Sequence, residues 1–293
     1  MKNFFSSEPS PIDDLNHHPK EANAIAPMSL IKSYLHNRPK LDFLIIGAEK
    51  AGTTALFSYL RQIPGIYIPI NKELNFFDRD HRYGEGKDFS ALHRWYLFAP
   101  KAALLGEATP TYLMNPHCFS RIYDYNPDIK VVALLRSPVR RAYSAWNYRR
   151  ARFRDKRDFM TAVRVEVESG ADIRVARENK YRYIGAGRYA DQIRALRATL
   201  PKENILLIKY EDFTRNQVAH VKDVARFIGG PLDVYVPSIK SVNVWPYRRA
   251  MTLEEFETVL AYYQDEITDI EQLTGWDLND WRQFEKPKKK EPT

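Results

Sequence analysis

The chain has 293 residues, 44% of them apolar, with 45 Lys+Arg against 37 Asp+Glu and a formal net charge of +8. That balance supports a sizeable core and excludes a disordered or fibrous chain, while the modest basic surplus favours anionic partners without indicating nucleic acid. No run approaches the ~20 consecutive apolar residues of a membrane span, and the first thirty residues lack the apolar centre of a secretory signal, so a cytoplasmic location is expected.

Residues 1–38 carry Ser6, Ser7, Pro9, Pro11, Pro19 and Pro27 with little periodicity and read as a flexible arm, with a short helix around residues 29–36. One folded domain is expected over residues 39–283. Its strand patterns are the short apolar runs 43–46, 131–135 and 205–208, each continuous enough to be buried on both faces. Helical patterns alternate with them at residues 53–62, 139–150, 190–199 and 217–227. This alternation predicts an α/β fold, a parallel sheet flanked by helices. The single cysteine, Cys118, cannot form an internal disulfide or a multi-cysteine zinc site and reads as a small buried apolar residue. A last helix opens on a capping box at Thr252 and Glu255 and runs towards Leu273 before Gly275. Residues 284–293, rich in lysine, read as a basic solvated tail.

The first strand ends at Gly47 and gives way to Lys50, Ala51, Gly52, Thr53 and Thr54 before a helix. Glycines at that turn free backbone N–H groups and a helix N-terminus to cradle an anion. The segment is P-loop-like with one difference: the lysine that follows the second glycine in nucleotide triphosphatases has moved into the loop as Lys50. The strand 131–135 ends in Arg136, where a metal-binding Asp would be needed to hold Mg²⁺. Pro138 suits a first helical turn, and Arg136, Arg140 and Ser144 offer guanidinium and hydroxyl groups for a second phosphate.

In this order the residues resemble the sulfotransferases that use 3′-phosphoadenosine 5′-phosphosulfate (PAPS), most of all bacterial relatives of the heparan sulfate branch. The loop 47–54 is similar to that family's 5′-phosphosulfate loop, and residues 131–144 to its 3′-phosphate strand and helix. Lys72-Glu-Leu-Asn-Phe-Phe-Asp78, Gly106-Glu-Ala-Thr-Pro-Thr-Tyr112, Tyr183-Ile-Gly-Ala-Gly-Arg-Tyr189 and Gly275-Trp-Asp-Leu-Asn-Asp-Trp281 complete the ordered set.

The resemblance implies a P-loop-like sulfotransferase fold and metal-free transfer of a sulfuryl group from PAPS to a hydroxyl or amine, leaving adenosine 3′,5′-bisphosphate. It implies that Lys50 meets the bridging oxygen, that Gly47, Ala51, Gly52, Thr53 and Thr54 form the 5′-phosphate cradle, and that Arg136 and Ser144 hold the 3′-phosphate. Tyr189, Lys240 and Arg249 fall in segments expected at the donor. Glu73 occupies the position of a catalytic carboxylate and is expected as general base; His81 and His93 lie near the same segment, and His81 is the competing base. Glu107 is expected either as a second acid facing the substrate or in a salt-bridged structural role. The acceptor is open among small molecules, glycans and carrier-bound intermediates. The basic run 149–157 reads as a solvated face or as a recruiter of an anionic acceptor or carrier protein.

Two other functions fit parts of the pattern. A P-loop kinase would explain the loop but not the placement of Lys50 or Arg136. A nucleic-acid-binding protein would explain the basic run and tail but leaves residues 47–54 without a role.

Overall fold

The computed structural model describes residues 40–84, 88–169, 182–231, 235–236, 247 and 249–285. Five parallel strands form one sheet in the order β2-β3-β1-β4-β5: β1 Phe43–Gly47, β2 Ile66–Tyr67, β3 Leu104–Ala108, β4 Lys130–Leu135 and β5 Ile205–Lys209. The central position of β1 explains its uninterrupted apolar sequence, since all five of its residues are buried. Leu44 pairs with Glu107 on one side and Val131 on the other, which brings the ends of β1, β3 and β4 to one edge of the sheet.

The helices are α1 Thr53–Leu60, α2 Asp80–Tyr83, α3 Ser90–His93, α4 His117–Tyr125, α5 Pro138–Ala151, α6 Phe159–Glu168, α7 Tyr189–Thr199, α8 Tyr210–Arg215, α9 Gln217–Phe227, α10 Leu253–Ala261 and α11 Gln264–Thr274. Local chemistry sets their ends. Pro138 opens α5, the Asp158 side chain caps α6 through the Thr161 N–H, and Asn216 caps α9 through Ala219. The capping box at Thr252 and Glu255 forms as expected. The helix it opens stops at Ala261, however, and a second begins at Gln264; the buried Tyr263 between them sends its hydroxyl to the Ile184 carbonyl at 2.7 Å. Gly275 in the left-handed region ends α11.

Cys118 is buried in α4. At the C-terminal side Phe284 packs on Phe256 and Arg140 pairs with Glu285 at 3.4 Å, so the folded body reaches beyond residue 283. No helix among the described residues is long and apolar enough to cross a membrane. The expected arm and its short helix, Lys240 and most of the basic tail lie outside the described residues. In a parallel sheet the ligand crevice forms at the carboxyl ends of the strands. Here those ends deliver the loop after β1, Thr109–Tyr112 after β3, Arg136 and Ser137 after β4, and Tyr210 after β5.

Candidate active site

The turn after β1 is tight. Lys50 lies at φ 69° and Gly52 at φ 87°, both left-handed, and a Cβ on Gly52 would come within 2.9 Å of the Tyr210 ring. Only glycine permits that approach of backbone to ring. Thr53 and Thr54 then begin α1, and Lys72 Nζ donates to both hydroxyls, at 3.2 and 3.1 Å. Lys50 Nζ sits 4.0 Å from the centre of the Tyr148 ring. Burial pulls the Lys50 ammonium down to about 8, helped by Arg136 and Lys72 and opposed by Glu49 and Glu73.

Across the crevice, Arg136 donates through Nη1 to the Lys50 carbonyl at 3.1 Å and lays its guanidinium 4.8 Å from the Tyr210 ring centre. Its Nε and the neighbouring Ser137 Oγ are buried without hydrogen-bond partners. Such groups are costly unless a ligand or water completes them. Ser144 lies two turns along α5 and faces the same cavity.

Glu73 comes to the cavity on a loop held from below by five successive backbone donors. The N–H of Glu73 goes to the Ala108 carbonyl, that of Leu74 to the Glu107 carboxylate, that of Asn75 to Thr109 Oγ1, and those of Phe76 and Phe77 to the Tyr112 hydroxyl. The ties matter because Glu73 at φ 66° and Asn75 at φ 52° occupy a region unfavourable to side chains. The Glu73 carboxylate is half exposed and stands 3.5 Å from Lys72 Nζ. Burial lowers the pKa of Lys72, with Glu73 opposing the shift.

Glu49, Lys50, Gly52, Thr53, Thr54, Lys72, Glu73, Arg136 and Ser144 thus line one cavity of about 690 Å³. Other expected site residues lie elsewhere. Glu107 is not a substrate-facing acid: it is 1% exposed, accepts from Leu74, Thr109 and Tyr112, and has no basic partner among those contacts. Burial pushes its carboxyl up to about 7 against those hydrogen bonds, with Asp78 adding to the rise. His81 is exposed on α2 outside the cavity, and His93 is buried against the Tyr125 hydroxyl at 2.9 Å.

Tyr189 is also no direct contact, being fully buried with its hydroxyl on the Arg136 carbonyl at 3.2 Å. Arg249 forks onto Glu255 and lines an adjoining groove with Arg136 and Arg140 rather than the main cavity. Gly47 and Ala51 contribute backbone to the turn without lining the cavity.

The basic run is not a plain solvated face. Arg150 donates to the carbonyls of Lys156 and Arg157, Arg157 pairs with the buried Asp155, and Arg149 reaches Glu49 at 3.6 Å. These contacts fold the segment back so that Arg152 and Arg154 reach the cavity rim, Arg152 over Tyr148. Sequence reasoning singled out neither Lys72, Tyr148 nor Tyr210 as a site residue. Lys72 had a signal, a lysine beside the expected base; the two tyrosines had none, because the spacing that brings them to the loop exists only in the fold.

The sequence model of the sulfotransferase domain matches residues 40–270. The chain belongs to the sulfotransferase domain family. A sulfotransferase crystal structure from Alicyclobacillus acidocaldarius is similar over 84% of this chain and all of that one, with 30% identity and a TM-score of 0.71. Among curated sulfotransferases, heparan sulfate glucosamine 3-O-sulfotransferase 5 of Homo sapiens is 31% identical over 134 residues, 44% of this chain and 36% of the relative. Membrane-associated sulfotransferase kil1 of Dictyostelium discoideum is 35% identical over 108 residues, 36% of this chain and 22% of the relative. The matched region is thus well under half the length of either curated sulfotransferase.

Proposed function

We propose that this chain transfers a sulfuryl group from PAPS to a hydroxyl or amine acceptor. The carrying observation is that one cavity holds an anion loop with its own lysine, an arginine corner suited to a second phosphate, and the Glu73 carboxylate. PAPS, when bound, supplies the activated sulfuryl group. The residues fit such a ligand: Arg136 Nε and Ser137 Oγ are buried donors without partners at the corner, and the turn after β1 leads straight into the N-terminus of α1.

In this reading Thr53, Thr54 and the N–H groups opening α1 hold the 5′-phosphate, while Arg136 and Ser144 hold the 3′-phosphate. Lys50 places positive charge where the leaving oxygen gains negative charge. Glu73 takes the proton from the acceptor oxygen or nitrogen as that atom attacks, with Lys72 Nζ 3.5 Å from the carboxylate. The acceptor class is a small molecule, a glycan or a carrier-bound intermediate; the human relative's name makes a glucosamine-containing glycan the first to assay.

Calorimetric titration with adenosine 3′,5′-bisphosphate, with and without Mg²⁺, tests the donor assignment, and labelled PAPS offered with an acceptor panel tests transfer. Bisphosphate binding that does not depend on Mg²⁺ is expected. Binding of MgATP in preference to the bisphosphate would overturn the proposal in favour of a kinase.

A further inference from the structure

The Gly275–Trp281 segment, far along the chain from every residue of the cavity, has no role in the chemistry above. Its last residue, Trp281, is fully buried. The indole Nε1–H donates to Glu211 Oε2 at 2.9 Å, and the other oxygen of that carboxylate accepts the Ser137 N–H at 3.3 Å. The Trp281 ring also meets the Tyr189 ring edge-on, with centroids 6.4 Å apart. Tyr189 in turn donates to the Arg136 carbonyl. The Arg136 carbonyl and the Ser137 N–H are the two ends of one peptide group. Each end is therefore fixed by a side chain that Trp281 touches.

The peptide group so held joins β4 to α5. Its orientation sets where the Arg136 side chain leaves the backbone and where the helix carrying Ser144 begins. The segment is itself anchored, since Lys209 Nζ, two residues before Glu211, bonds the Asp277 carbonyl and the Asp280 carboxylate, each at 2.8 Å.

We infer that Trp281, acting through Glu211 and Tyr189, is a positioning residue for the 3′-phosphate subsite, so that the C-terminal segment sets discrimination between 3′-phosphorylated and 3′-unphosphorylated nucleotides. The inference rests on the reading of Arg136 as the 3′-phosphate ligand. Losing one hydrogen bond of this kind is expected to weaken the affected ligand about three- to tenfold.

Titration of the full chain with adenosine 3′,5′-bisphosphate and with adenosine 5′-phosphate tests it, using Trp281→Phe, Tyr189→Phe and Arg136→Ala. Trp281→Phe, which removes the indole N–H, and Tyr189→Phe, which removes the hydroxyl, should each lose about three- to tenfold in bisphosphate affinity and leave the 5′-phosphate unchanged, while Arg136→Ala loses about ten- to a hundredfold for the bisphosphate alone. If Arg136→Ala erases the discrimination but the other two leave it intact, or weaken both nucleotides equally, the inference is overturned. If Arg136→Ala itself weakens both nucleotides equally, the underlying reading of Arg136 fails instead. Should Trp281→Phe not fold, Tyr189→Phe, which removes one hydroxyl and no packing, decides.

Discussion

The Glu107 carboxylate accepts the Leu74 N–H at 3.2 Å, so the residue next to Glu73 rests on an acid that is itself out of reach of solvent. An ionised carboxylate in that position is costly, which is why burial raises the Glu107 carboxyl from 4.5 to about 7. Between those two values the folded chain keeps a proton there that the unfolded chain has released. The Glu107 contribution to stability is therefore full below about pH 4.5 and is lost as pH rises through 7. Relative to wild type, Glu107→Gln should gain up to about 3 kcal/mol between pH 4 and pH 8. Urea unfolding of both proteins across that range measures the swing, and a difference that is flat with pH would show that folding leaves the Glu107 carboxyl at its ordinary value.

Glu73→Gln preserves shape but cannot take a proton. Turnover should drop by about 10² to 10⁴ with bisphosphate affinity nearly intact. His81→Ala should match wild type, because His81 stands outside the cavity. Single-turnover transfer from labelled PAPS to an acceptor identified in the panel compares the three proteins; loss in His81→Ala with retention in Glu73→Gln would transfer the base role to His81.

Lys50 titrates at about 8, so its positive charge is present below that pH and disappears above it. Affinity for adenosine 3′,5′-bisphosphate should be steady near pH 7 and weaken between about pH 8 and 9.5, by no more than tenfold per pH unit for the one proton involved. In Lys50→Met the affinity should be lower overall and the step absent. A step that survives the substitution assigns the titration to another group.

Gly52→Ala should damage the loop. A methyl group there meets the Tyr210 ring at 2.9 Å on a backbone at φ 87°, a combination of clash and strain expected to cost about 1–3 kcal/mol. The thermal midpoint should fall and nucleotide binding should weaken with it. Near-wild-type values for both would mean that the Tyr210 ring swings clear of the loop.

β1, β4 and β5 are readable because nothing interrupts their apolar runs, although β5, at the edge of the sheet, is only part-buried over its first three residues. β3 is not, since Leu104–Ala108 contains Gly106 and Glu107. Both have structural reasons: any side chain at 106 would fall inside the Phe43 ring, whose atoms lie 2.1–2.5 Å from the added Cβ, and Glu107 is needed to hold the Glu73 loop. The two-residue β2 offers too little pattern to detect. In the site, the residues carried by contiguous motifs, Lys50, Thr53, Thr54, Glu73, Arg136 and Ser144, gather in one cavity. Glu107 and Tyr189 are harder to read, because sequence shows that a polar group exists near a motif, and not whether it points to the cavity or to the backbone beneath it.

Every strand pairing in this sheet is parallel and joins distant parts of the chain: Phe43 with Gly106, Phe43 with Lys130, Val131 with Ile205. The bond from Arg136 to the Lys50 carbonyl spans one of those pairings and cannot form before β1 and β4 have docked. Contacts of such long sequence separation make for slow assembly. A nucleotide bridging the loop and the arginine corner needs both strands in place, so it binds the folded chain alone. Bound bisphosphate should slow unfolding while leaving the refolding rate where it was. The chain's lifetime under heat or protease would then follow its supply of nucleotide.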